Sequence, residues 1–210
     1  MFSHRWGEGE PTYTLEKLKG NSPGYQKLKM FLNEASERGF ALAWSDTCCI
    51  DKTSSAELDE AIRSMFRWYR NSALCIVHLA QTVEMDDISK DEWFRRAWTL
   101  QELLAPWCIK FLNKEWIPLT DDENDKFIVR SVTRIPEILF SDDISNHKTP
   151  VADKLVWAAG RVSTRREDMA YSLMGLLGVS IQSAYGEGGD RAFRRLLEAI
   201  INELHDPSVL

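Results

Sequence analysis

Cysteine is scarce, and its spacing is wrong for cross-linking. Cys48, Cys49, Cys75 and Cys108 form no C-x-x-C pair and no disulfide framework, so the chain reads as a reduced, cytosolic one. No apolar run approaches the ~18–20 residues needed to cross a bilayer, and the N-terminus lacks the apolar centre of a signal peptide, so no membrane partner is expected. Positive charge is in deficit: 26 Lys+Arg stand against 32 Asp+Glu, a net charge of −6. With no positive field to gather phosphates, no nucleic-acid partner is expected either. The clusters Arg161/Arg165/Arg166 and Arg191/Arg194/Arg195 are interrupted by Glu167 and Asp190 and read as solvated helix faces. The four histidines are scattered. The adjacent Cys48 and Cys49 would point to opposite faces of an extended segment, so no metal site is expected. Walker and nucleophile-elbow motifs are missing. Gly186-Glu187-Gly188-Gly189 lacks both the preceding strand and the spacing of a phosphate-binding turn, and reads as a loop that sets the last helix.

What is present is the composition of an ordinary globular chain: 210 residues, 44% hydrophobic and 28% charged, enough for one domain with an appended part. Ser22-Pro23 opens a helix that runs through Tyr25, Leu28, Phe31, Leu32 and Ala35 and closes at Gly39. Phe40–Trp44 is an almost wholly apolar run, expected as a strand buried on both faces of a parallel sheet. Ser54-x-x-Glu57 is a capping box before a helix carrying Leu58, Ile62, Met65, Phe66 and Tyr69 on one stripe. Ala73–Leu79 is a second buried strand. Asp91 is expected to cap a helix continuing through Trp93, Phe94, Trp98 and Leu104, and Trp107–Leu112 is a weaker strand. Beyond the polar stretches Asp121–Asp125 and Ser141–Lys148 the chain turns helical: one helix from Thr149-Pro150, one from a Thr164-x-x-Glu167 box to Gly178, and one from Asp190. Strands alternating with helices at these lengths predict an open, mostly parallel α/β sheet over residues 1–116, with a helical extension over 117–210 packed on it as one unit.

In such a sheet, sites form beyond the carboxyl ends of the strands. The polar groups at those ends are Ser3-His4-Arg5-Trp6-Gly7, Ser45 to Asp51, and His78 with Gln81; Arg95, Trp98, Gln101 and Glu102 follow. Trp98 and Glu102 stand four apart and share a helix face, with Arg95 one turn earlier. A carboxylate beside an indole, in a cleft with Arg5 and Asp46, would suit a ligand. Each residue also has a plainer reading. A lone helical Glu is usually a solvated surface residue, and a lone Trp is usually core. Asp46 and Asp51 are ordinary turn or cap residues, and His4 and His78 ordinary packed histidines.

Together, however, Ser3-His4-Arg5-Trp6-Gly7, Trp44 to Lys52, Met65-Phe66-Arg67-Trp68-Tyr69 and Arg96-Ala97-Trp98-Thr99-Leu100-Gln101-Glu102-Leu103 resemble the fungal heterokaryon incompatibility (HET) domain. Trp157 to Arg161, Arg166 to Gly175 and Tyr185-Gly186-Glu187-Gly188 resemble its usual continuation, so the likeness covers nearly the whole chain. It lacks the family's longer lead into the first strand, which implies a fragment, an excised domain or a minimal version. HET domains are held to be distant relatives of TIR domains, which have a flavodoxin-like fold, and Trp98-Thr99-x-x-Glu102-Leu103 is similar to the TIR pattern W-C-x-x-E-L. The resemblance implies that Glu102 is catalytic in NAD⁺ glycohydrolysis and that Ser3, His4, Arg5 and Trp6 contribute to the nucleotide pocket. NAD⁺ or a related nucleotide would be substrate rather than prosthetic group. Trp6 or Trp98 would stack on a substrate ring and Arg5 would pair with the pyrophosphate; Asp46 would orient a ribose or anchor Arg5. Asp51, Arg165 and Asp168 are assigned to structure, as caps or ion pairs. A self-associating signalling domain that triggers cell death without catalysis is the rival reading. Assembly into a homo-oligomer and an upstream sensor are compatible with both, and the product, cyclic or linear, stays open.

Overall fold

The computed structural model describes residues 1–14, 21–121, 125, 128, 132, 133, 135, 149–204, 206 and 208. Ser141–Lys148 lies outside them, and only the two ends of Asp121–Asp125 fall within. The described elements are β1 (Phe2–His4), α1 (Pro23–Glu37), α2 (Ser55–Arg70), β2 (Cys75–His78), α3 (Thr99–Leu104), β3 (Ile109–Leu112), α4 (Val151–Ala158), α5 (Asp168–Tyr171), α6 (Met174–Leu177) and α7 (Gly189–Leu204). The strands form one parallel sheet in the order β1-β2-β3, with Ser3 opposite Val77 and Val77 opposite Phe111. All three are buried along their whole length, as strands covered on both faces must be.

The two-residue period of the strands sorts the core into two layers. Phe2, Ile76 and Leu112 point to one side and pack with Leu28 and Phe31 of α1; the Phe2 and Phe31 rings stack 4.4 Å apart. Cys75, Val77, Ile109 and Phe111 point to the other side, into the larger cluster that holds the buried stripe of α2 together with Leu100, Leu103, Tyr171, Met174, Leu177 and Leu196. The C-terminal helices therefore complete the same core as α2 and α3. Gly175 shows how closely: a Cβ there would lie 2.1 Å from the Phe66 Cβ, so α6 crosses α2 at a distance only glycine allows. Asp125 bonds along the outer edge of β3, accepting the Phe111 N–H at 2.8 Å, and Lys110 reaches its carboxylate at 3.3 Å. No helix among the described residues is long and apolar enough to cross a membrane.

The helix-start signals hold locally. Ser22 accepts from the Tyr25 N–H at 3.2 Å and Ser54 from the Glu57 N–H at 3.3 Å. Three expectations are corrected. Phe40–Trp44 is not a strand: β1 offers it one bond, Phe2 N–H to the Trp44 carbonyl at 2.9 Å, and Leu42 is 92% exposed. The helix from Asp91 is broken. Asp91 caps only a single 3-10 turn, Glu92–Arg95, after which Arg96 adopts extended angles and its neighbour Ala97 bonds to the Val162 carbonyl at 2.8 Å, so α3 starts afresh at Thr99. The stretch expected from Thr164 to Gly178 is two short helices, and Glu167 does not close a capping box. Its carboxylate accepts the Gly186 and Gly188 N–H groups at 2.9 and 3.1 Å, which fills the glycine loop with a protein carboxylate and makes it the support of α7.

Candidate active site

A cleft of about 850 Å³ opens beyond the carboxyl end of β1, within the size range of small-ligand sites. The end of β1 supplies His4, Arg5 and Trp6; the turn after residue 45 supplies Asp46 and Lys52. α2 lays Leu58, Ile62 and Met65 along an apolar wall. The break before α3 brings in Arg95, Arg96 and Trp98, with Glu102 behind them. The opposite wall is built from Val162 to Arg165, Asp168 and Tyr185.

Glu102 sits on α3, a helix whose six residues are all buried. Its carboxylate accepts a hydrogen bond from the Ser3 hydroxyl. That hydroxyl is oriented from behind: the indole N–H of Trp93, itself fully buried, donates to it at 2.8 Å, so the Ser3 proton is left for Glu102. The Tyr69 hydroxyl, which donates to the Phe2 carbonyl at 2.9 Å, also interacts with the carboxylate. Burial pushes the Glu102 carboxyl up to about 8, the nearby negative charge of Asp46 adds to this, and Ser3, Arg96 and Tyr69 oppose it. A buried carboxyl shifted this far beside a cleft marks a candidate functional group.

Of the residues singled out from the sequence, His4, Arg5, Trp6, Asp46, Trp98 and Glu102 line the cleft, and Ser3 stands behind it as the partner of Glu102. The strand period explains the division. Ser3 turns toward α3, whereas His4 turns to the other side, where its ring stacks on Phe2 at 4.1 Å and lies 3.6 Å from Glu10. Burial holds the imidazole below its usual pKa and keeps it neutral. Asp46 does not anchor Arg5. It accepts the Trp6 indole N–H at 2.9 Å, while the Lys52 ammonium lies 3.8 Å over the same indole. Arg5 pairs instead with Glu92, at 2.8 Å. Asp51 accepts from the N–H and hydroxyl of Thr53 at 2.9 and 2.6 Å, a turn residue as expected. Arg165 and Asp168 have structural partners but also face the cleft. Asp168, its carboxyl raised by burial, accepts the Tyr185 hydroxyl at 2.8 Å and interacts with the Trp98 indole N–H, and the Arg165 guanidinium lies 4.2 Å from the Tyr185 ring centroid. Cys48 and Cys49 follow a turn rather than an extended segment. Their thiols interact, and the hydrogen bond from the Cys48 thiol, with a weak contact from the Ser45 N–H at 3.5 Å, holds the Cys49 thiol below its ordinary range. No group of three His, Cys, Asp or Glu side chains among the described residues is placed to hold a metal.

The family model for "Heterokaryon incompatibility protein (HET)" matches residues 1–87. The chain is also 39% identical over 216 aligned residues to the vegetative incompatibility protein HET-E-1 of Podospora anserina, an alignment covering 95% of this chain and 16% of that protein. The chain carries a HET domain. It spans about one sixth of the length of that relative. No solved structure matches it. Within the HET domain, the family-model match takes in β1, the Asp46 turn, α2 and β2, whereas Arg96, Glu102 and the wall from Val162 to Tyr185 lie beyond it. Trp93, Tyr69 and Arg96 escaped the sequence reading as site residues. Trp93 reads as core, and only its hydrogen bond across 90 residues to Ser3 gives it a role. Tyr69 ends the apolar stripe of α2, and nothing local marks its hydroxyl. Arg96 stands in the sequence only as the first residue of the Arg96–Leu103 motif, and the break before α3 is what turns it to the cleft.

Proposed function

We propose that this HET domain acts in heterokaryon incompatibility as a cell-death effector that hydrolyses NAD⁺ to nicotinamide and ADP-ribose, or a cyclic form of it, with Glu102 as the catalytic residue. The observation that carries this is the Glu102 carboxylate, buried behind a dinucleotide-sized cleft and held by Ser3 and Tyr69. It is supported by the likeness of the Trp98–Leu103 segment to the TIR pattern and by the sheet order. The parallel strands run β1-β2-β3, with the Trp44 carbonyl bonded at the outer edge of β1.

The chemistry suits one carboxylate. The pyridinium of NAD⁺ leaves as neutral nicotinamide, taking the electron pair of the breaking C–N bond, so no general acid is needed at the leaving group. The ribose develops positive charge, which a fixed anion in a partly dry cleft stabilises. Water then bonds to the anomeric carbon and loses its proton to solvent. Ionised Glu102 faces the ribose, Trp98 and Trp6 offer ring faces, and Asp46 stands near enough to bond a ribose hydroxyl in exchange for Trp6.

NAD⁺ consumption by concentrated purified protein, with products separated by chromatography, tests this directly. Nicotinamide release should fall by at least two orders of magnitude in Glu102→Gln while the melting transition persists; equal turnover in the two proteins refutes the proposal. A second reading, non-catalytic self-association, draws on the exposed Phe40–Leu42 run beside the sheet edge. It predicts that charged substitutions there abolish cell killing and that Glu102→Gln does not.

A further inference from the structure

We infer that Arg96 is the anion anchor of the cleft and binds the diphosphate of a dinucleotide whose ribose lies against Glu102. This rests on the dinucleotide reading above but needs no catalysis.

Three other cations that line the cleft are already engaged, and a fourth, Arg95, stands exposed at its rim. Arg5 pairs with Glu92, Lys52 covers the Trp6 indole, and Arg165 lies against Tyr185. Arg96 is different: among the described residues its guanidinium takes no hydrogen bond and no ion pair, although the side chain is half-buried and lines the cleft. Its backbone, by contrast, is fastened on every side. The N–H donates to the Trp93 carbonyl at 3.3 Å, the carbonyl accepts from Arg161 Nη1 and from the Thr99 hydroxyl, each at 2.9 Å, and the residue forms a parallel bridge with Val162. Its backbone is fixed at the cleft while its planar fork of donors is unused, and such a fork takes an oxyanion in bidentate fashion.

Position narrows the anion. Arg96 lies close enough to Glu102 to oppose its raised pKa, yet the two do not pair. A cation and an anion facing one cleft without touching leave room for a ligand bearing the complementary charges in the same order. A ribose cation followed by a phosphate group has that order. Arg95, exposed at the rim one residue earlier, adds positive charge on the solvent side.

Titration calorimetry on Glu102→Gln protein, which cannot turn ligand over, separates this from the hydrolase reading. ADP-ribose should bind at least tenfold more tightly than adenosine or nicotinamide riboside, neither of which carries phosphate. Arg96→Ala should remove that preference, and Arg96→Lys should restore part of it because the charge returns without the fork. In the Glu102-bearing protein, Arg96→Ala should raise the KM for NAD⁺ at least tenfold with a smaller change in kcat. Equal affinity for the three ligands overturns the inference, a result that needs no variant at Arg96 to fold. So does undiminished ADP-ribose binding by folded Arg96→Ala. Turnover that requires Glu102 but ignores Arg96 leaves the hydrolase standing and the anchor refuted. Arg96-dependent ADP-ribose binding without any turnover does the reverse.

Discussion

Ser3, one hydroxyl between an indole and a carboxylate, favours the ionised form of Glu102 against the burial that opposes it. The ionised form is the one that can stabilise a ribose cation, and burial holds the carboxyl near 8. The kcat/KM for NAD⁺, which reports the free protein, should therefore rise between pH 6 and 9 with an apparent midpoint near that value. The Ser3 bond favours the carboxylate, so Ser3→Ala should move the midpoint upward, cutting the rate at pH 7 several-fold while sparing much of it at pH 9. A pH–rate series on both proteins checks this, and parallel profiles would reduce Ser3 to a packing residue. The motif singles Glu102 out in the sequence, whereas its surroundings are not legible there. The Ser3–Glu102 contact joins residues 99 apart, and only strand parity and the sheet's register bring them face to face.

At the scale of elements, local signals were most faithful where one residue's chemistry decides the outcome, as at the Ser22 and Ser54 caps. They failed where a partner distant in sequence decides. The apolar run Phe40–Trp44 met only a three-residue edge strand, and the stretch after Asp91 was cut because Ala97 and Val162 bond to each other rather than to helical neighbours. Gly175 belongs with these, since nothing around it announces that Phe66 will lie on top of it. Gly175→Ala adds one methyl group to that crossing and should cost about 1–3 kcal/mol, read as a lowered midpoint in urea with an unchanged slope. A midpoint equal to the parent's would mean that α6 and α2 are not held this close.

For the whole molecule, the expected division at residue 116 separates sequence styles better than it separates packing. Leu100 and Leu103 of α3 share one buried cluster with Met174, Leu177 and Leu196, and the Arg161 guanidinium bonds to the Thr99 hydroxyl at 3.1 Å. A chain ending at Trp116 should therefore show no cooperative thermal transition by circular dichroism, because the outer faces of α2 and α3 would be bare. A sharp transition in that fragment would make the C-terminal helices a separable unit.

The wall formed by Val162, Arg165, Asp168 and Tyr185 has a further consequence for how such a protein can be made safely. A ribosome releases the β1 end, the Asp46 turn and Glu102 long before it releases that wall. The nascent chain thus holds every charge of the cleft floor without an enclosure to exclude water or grip a dinucleotide. On the proposed reading, a dinucleotide could be enclosed only once the Val162–Tyr185 segment has docked, so cleavage would be withheld until that segment has been made.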